Sequence, residues 1–235
     1  MDDLIKIESH GPVTLLRMNA GPENRFNPDF VRALSENLDR LENDPSVKAA
    51  VITGAHPKYF CNGLDVQWMS TQNPQDLQPF LKTYLVMLHK FFVFPKPLVA
   101  AINGHAFAGG IFLALTADWR VMRSDKGWCC MPEIDLGFPL PPGHLAITAY
   151  AVGTRLAERI CLTGERLTAQ QALNMGLIDQ AEPDEEVLPR ALQKAEELGR
   201  KKQPDYRIIK LDYRRKAAKV LQDDAENFVL KYGAQ

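Results

Sequence analysis

Ile102-Asn103-Gly104-His105-Ala106-Phe107-Ala108-Gly109-Gly110, read together with Phe60-Cys61-Asn62-Gly63-Leu64-Asp65 upstream of it, decides how this chain folds. Each stretch holds a glycine-loosened turn directly before a helix start. Such a turn leaves backbone N–H groups that the helix cannot use, so two turns brought together can aim both donors at one developing oxyanion without any polar side chain. A third stretch, Met131-Pro132-Glu133-Ile134-Asp135-Leu136-Gly137, supplies a carboxylate. Pro132 and Ile134 partly desolvate Glu133, which raises its pKa and suits a base that removes a proton from carbon. Gly104 and Gly109 have the glycine spacing of a phosphate loop, but Gly110-Ile111 stands where such a loop needs Lys and then Ser or Thr.

Working outward, residues 3–9 and 12–18 are β-type runs joined at Gly11-Pro12, followed by runs at Lys48–Thr53 and Leu98–Ile102. Helices separate them. Asn27-Pro28-Asp29 is an N-cap with proline at the first helical position and opens an amphipathic run to about Asn43; Asn73 to Phe94 is helical until Pro95 and Pro97 stop it. Alternation of strand and helix predicts a mainly parallel sheet with covering helices. Asp118–Arg123 and Gly127–Cys130 read as further strands, Thr168-Ala169-Gln170-Gln171 as a capping box, Gly176 as a helix stop and Leu177–Asp179 as a short return strand. From Asp184 onward two or three helices follow, broken at Pro204. Asp65 reads as a helix cap, and His105 and His144 as packed or capping side chains, because neither has a nucleophile elbow or a metal partner at recognisable spacing.

With 235 residues, of which 46% are hydrophobic, the chain can bury a full core as one domain with a helical extension. A net charge of −1 with no block of like charge excludes the concentrated basic face that nucleic-acid binding needs. The final 45 residues lean basic, with 11 Lys and Arg against 7 Asp and Glu, which mixed-charge solvated helices explain. Cys61, Cys129, Cys130 and Cys161 form no C-x-x-C pair and have no His cluster beside them, so a reducing compartment is expected, with neither disulfide nor zinc. The acidic start Met1-Asp2-Asp3 shows no apolar leader, and Tyr232-Gly233-Ala234-Gln235 is not a peroxisomal ending, so a cytoplasmic location is expected. Leu98 to Ala117 is mostly apolar and long enough to be tested as a membrane span, but Asn103-Gly104 splits it and His105 is polar. No membrane partner is expected.

The three glycine- and glutamate-bearing segments, in this order, resemble the crotonase superfamily of enoyl-CoA hydratases and isomerases, over about Ile5 to Val187. The resemblance implies an α/β fold, a crotonase-like spiral of ββα units, with a core domain at 1–183 and a C-terminal helical extension at 184–235 that helps assemble trimers or dimers of trimers. It implies that Leu64 and Gly109 give the two oxyanion N–H groups and that Glu133 occupies the second catalytic glutamate position. Hydratases of the superfamily carry another glutamate three residues after the oxyanion glycine; here that position is Phe112. The segments therefore look most like enoyl-CoA isomerases of the single-glutamate type, with Phe112 excluding water. The implied substrate is an acyl-CoA, and no separate cofactor is implied because coenzyme A belongs to the substrate. Arg25 falls in the loop that in the superfamily passes near the CoA phosphates, where a guanidinium suits phosphate. Asn62, Trp68, Phe107, Phe112, Phe138 and Leu140, with Met69, complete the expected substrate contacts. A hydratase or another CoA-thioester enzyme, and a crotonase-fold binding protein with little catalysis, are the alternatives.

Overall fold

The computed structural model describes residues 4–228, so the acidic start and the Tyr232–Gln235 ending lie outside it. Strands β1 (Ile5–His10) and β2 (Val13–Met18) form an antiparallel hairpin. Helix α1 (Pro28–Asn43) follows, capped by the Asn27 side chain, which accepts from the Phe30 amide at 2.9 Å. Phe30, Val31, Leu34, Leu38 and Leu41 recur at helical spacing and are all buried, so one face of α1 closes on the main core.

The chain then repeats one unit. β3 (Ala49–Gly54) and β4 (Tyr59–Cys61) precede a short helix α2 (Val66–Met69) and the long α3 (Pro74–Phe92). β5 (Leu98–Ile102) and β6 (His105–Phe107) precede α4 (Gly109–Leu115). β7 (Trp119–Arg123) and β8 (Cys129–Cys130) precede a single 3-10 turn, Pro132–Ile134, and then α5 (Pro142–Val152). The first strand of each unit joins a six-stranded sheet and the second joins a separate three-stranded sheet of order β4-β6-β8. This is the expected ββα spiral. The apolar stretch from Leu98 to Ala117 is spent on β5, β6 and α4, and among the described residues no helix is long and apolar enough to cross a membrane.

Helices α6 (Thr154–Thr163) and α7 (Ala169–Asn174) lead to β9 (Gln180–Glu182), which completes the large sheet in the order β1-β2-β3-β5-β7-β9. The Thr168–Gln171 capping box is present as read. The return strand lies three residues later than expected: Leu177 and Ile178 are buried in the core, the Asp179 carboxylate takes the Arg120 amide at 2.8 Å, and the ladder to β7 starts at Gln180. Helix α8 (Asp184–Gly199) lays Val187, Ala191 and Ala195 on the sheet face formed by Leu15, Val51 and Val99. Helix α9 (Gln203–Asn227) carries Pro204 inside its first turn, where a missing N–H costs nothing, so the break falls at 200–202 rather than at the proline.

A buried ionic knot ties α9 to the core. The Asp118 carboxylate accepts from Lys210 Nζ at 2.7 Å, from Arg214 Nη2 at 2.8 Å and from the Leu98 amide at 2.8 Å. Arg214 also donates to the carbonyls of Phe92 and Thr116, at 2.6 and 2.7 Å. These carbonyls lie at or just past the ends of α3 and α4, so the guanidinium takes up acceptors that the helices leave unpaired.

Candidate active site

The small sheet explains why three distant segments meet. β4, β6 and β8 are parallel neighbours, so their carboxyl ends emerge side by side. Gly63 and Leu64 follow β4, Ala108 and Gly109 follow β6, and Glu133 follows β8, each within three residues of its strand end. Ligands of parallel sheets bind outside the carboxyl ends of the strands for this reason.

Glycines let the first two turns touch backbone to backbone. A Cβ on Gly63 would stand 2.7 Å from the Gly109 nitrogen, one on Gly110 would stand 2.1 Å from the Cys61 carbonyl oxygen, and one on Gly104 2.3 Å from that of Lys58. Asn103 locks the same region, accepting from the Gly54 amide and donating to the carbonyls of Gly54 and His56.

The amide directions follow from local pairing. Phe26 forms a parallel bridge with Leu64, donating to the Gly63 carbonyl at 2.8 Å and accepting from the Asp65 amide at 2.9 Å. Both bonds come from residues flanking Leu64, so the Leu64 N–H faces away from Phe26, toward the cavity that Leu64 lines. Ala108 holds φ 49° and ψ −126°, a sparsely populated conformation for a residue with a Cβ. Its carbonyl accepts from the Ile111 and Phe112 amides along α4, which turns the Gly109 N–H of the same peptide out of the helix end. Gly109 lines the same cavity.

Glu133 sits in the 3-10 turn, whose closure is fixed by the Phe138 amide donating to the Glu133 carbonyl at 2.9 Å. Its Oε2 is buried and meets no hydrogen-bond partner among the described residues. Burial pushes the carboxyl up to about 7, as its apolar neighbours imply. The carboxyl is thus poised near neutral pH with an unpaired oxygen.

A cavity of about 550 Å³ gathers these groups. Arg25, Asn62, Leu64, Phe107 and Gly109 line it, as do Glu133, Phe138, Leu140 and Met69. Arg25 and Asn62 mark one side, where Glu23 pairs with the Arg25 guanidinium and lies 3.4 Å from the Asn62 amide nitrogen. Two expected contacts fall outside the wall. Trp68 packs edge-on to Phe80 at 4.9 Å between ring centres, because Asp65 caps α2 and turns that side of the helix onto α3. Phe112 is fully buried in the core and stands edge-on behind the His144 ring at 4.3 Å, so it backs the wall instead of touching a ligand or excluding water directly.

Sequence reasoning missed three contributors. Asn24, fully buried with φ 48°, accepts from the Ala20 amide and donates to the Phe60 carbonyl, binding the Arg25 loop to β4. Tyr84 and His144 both line the cavity, and the Tyr84 hydroxyl lies 3.1 Å from His144 Nε2. A signal for Tyr84 existed: it occupies the buried stripe Phe80, Leu81, Tyr84, Leu85, Leu88 of α3, where a hydroxyl has to find a partner. His105 instead packs against Tyr59, Phe107 and Trp128, outside the cavity wall.

Comparison with known proteins agrees with this geometry. Residues 8–229 match the family described as enoyl-CoA hydratase/isomerase. The chain is similar to enoyl-CoA delta isomerase 3 of Arabidopsis thaliana, at 31% identity over 76% of each protein. It is also similar to a putative enoyl-CoA hydratase of Thermus thermophilus, at 32% identity over 88% of this chain and 82% of that one. The crystal structure of human mitochondrial delta3-delta2-enoyl-CoA isomerase superposes with a TM-score of 0.91 at 27% identity, covering 96% of this chain and 90% of that one. A ββα spiral that aims two backbone amides and one desolvated glutamate into a shared cavity, with a match over nearly its whole length, makes this chain a member of the enoyl-CoA hydratase/isomerase family.

Proposed function

We propose that the protein is an enoyl-CoA isomerase that moves the double bond of a 3-enoyl-CoA to the trans-2 position, a step in oxidising unsaturated fatty acids. Glu133 takes a proton from C2, the electrons pass to the thioester oxygen as a dienolate, and the proton returns at C4. The Leu64 and Gly109 amides hold the oxyanion; a donor of this kind is worth roughly 10²–10³ in rate. One observation carries the reading: Glu133 has a buried, unpaired oxygen on the wall that both amides share. The family resemblance adds that position 112, where a hydratase would hold its second glutamate, is a buried phenylalanine here. A retained base beside both turns speaks against a binding protein without catalysis.

Hydration is the second reading, and Asp224 is what favours it, since this carboxylate also lines the cavity. Asp224 is held at the start of α5, where Oδ2 accepts from the Gly143 amide at 3.0 Å. Incubation of the purified protein with a 3-enoyl-CoA and, separately, with a 2-enoyl-CoA decides between them. Isomerisation much faster than hydration is expected, and hydration as fast as isomerisation would overturn the single-base mechanism. For the assembly, a trimer or dimer of trimers is supported by the exposed Ile209, Tyr213 and Val220 along one side of α9. A cytoplasmic location is supported by four buried free thiols, which suit a reducing compartment.

A further inference from the structure

Tyr84 and His144 come from different helices and meet at the oxyanion wall. A Cβ on Gly109 would stand 2.8 Å from the Tyr84 hydroxyl, so this oxygen lies directly against the residue whose amide faces the cavity. The Tyr84 ring is packed by Phe26 at 5.4 Å and by the His144 ring at 5.7 Å between centres. Behind His144 stands Phe112, edge-on. His144 is buried in the first turn of α5, and its Nδ1 meets no hydrogen-bond partner among the described residues.

The protons of this pair have two arrangements. With a proton on Nδ1, Tyr84 donates to Nε2 and its only hydrogen is used within the protein. With the proton on Nε2, the ring donates to the Tyr84 oxygen and the hydroxyl hydrogen is free for a ligand. An oxyanion beside Gly109 selects the second arrangement, because it supplies the acceptor that the hydroxyl then needs. Burial holds His144 down at about 3, and burial together with the nearby Glu133 and Cys61 pushes Tyr84 well above its usual range. Both groups therefore stay neutral while Glu133 titrates.

We propose that the Tyr84 hydroxyl is a third hydrogen-bond donor to the substrate thioester oxygen, beside the Leu64 and Gly109 amides, and that His144 is the residue that positions it. Tyr84 is then a catalytic residue of the isomerase reading above, on which this inference rests. It also gives Phe112 a use: an apolar ring behind His144 keeps the imidazole neutral, where a carboxylate would charge it.

The test is Tyr84→Phe, which keeps the ring and removes the donor. The kcat on a 3-enoyl-CoA should fall by about 10²-fold with KM changed far less. The thioester carbonyl stretch of bound 2-enoyl-CoA should move to higher wavenumber than in the native protein. His144→Leu should lose a similar factor, His144→Gln should recover part of it because its amide can still donate to Tyr84, and Tyr84→Phe combined with His144→Leu should be no worse than either alone. An unchanged stretch with kcat within about twofold of native in Tyr84→Phe would overturn the donor role. Multiplicative losses in the double variant would overturn the positioning role of His144. The stretch needs binding and no turnover, so a native protein that binds the thioester without isomerising it would defeat the isomerase reading while still deciding the donor question.

Discussion

Gly63 and Gly109 touch backbone to backbone, and a Cβ on Gly63 would lie 2.7 Å from the Gly109 nitrogen and 2.8 Å from the Ala108 Cβ. Gly63 also holds φ +79°. Gly63→Ala therefore adds left-handed strain of roughly 1–2 kcal/mol and forces the two turns apart. Displacement of a reacting group by an ångström can cost about 10²-fold, so kcat should fall by that order. Gly176→Ala is the control: φ is +74°, but nothing lies within 4 Å of its added Cβ. It should cost stability with activity intact. Equal activity in both variants, measured with folded protein, would show that the turn contact does not aim the amides.

Glu133→Gln keeps the shape and removes the proposed base. Isomerisation should drop by at least about 10³-fold, while binding of a 2-enoyl-CoA, followed by calorimetry, stays near native. Turnover close to native would mean that another group takes the C2 proton.

The pH dependence follows from the same carboxyl, raised by burial to about 7. In the proposed mechanism the charged form is the base, so kcat/KM should rise with pH, reach half its plateau near pH 7 and stay flat above. Stability runs the other way. A carboxyl raised on folding contributes stability that is fully present below its unfolded value of 4.5 and is lost as pH rises through about 7. Glu133→Gln should thus melt higher than native at pH 8, with the gap closing at pH 5; thermal unfolding at the two pH values checks it.

Asp118 is the anion that neutralises Lys210 and Arg214 under α9. Asp118→Ala leaves two buried cations without a counter-charge, and breaking such a knot costs about 3–5 kcal/mol. Because Asp224, Asn227 and Phe228 at the end of α9 line the cavity, KM for a 3-enoyl-CoA should rise as well. Denaturant unfolding with a KM measurement tests both effects, and unchanged stability would show that the knot does not hold α9.

Much of the fold was legible because its signals are local. The α1 cap at Asn27, the Thr168 capping box and the strand at Leu98–Ile102 each lie within a few residues of one another and stand where they were read. β4 and β6 were not legible as strands: with three residues each they show no alternation, and only their pairing across the small sheet makes them strands. The same local view misjudged Trp68 and Phe112, since which side of a helix meets a cavity depends on the helix packed against it.

By itself, then, the sequence determined that two glycine turns and one glutamate-bearing segment follow one another along the chain, and that a phenylalanine, Phe112, stands three residues after Gly109. These are properties of residue type, spacing and backbone freedom. Tertiary structure alone decided that the carboxyl ends of β4, β6 and β8 lie side by side, that the Leu64 amide turns away from Phe26, and that Tyr84 reaches His144 across 60 residues of chain. The reason is physical: caps and turns are settled by bonds within one turn of backbone, whereas the direction of a free amide and the partner of a buried hydroxyl are settled by whatever packing brings against them.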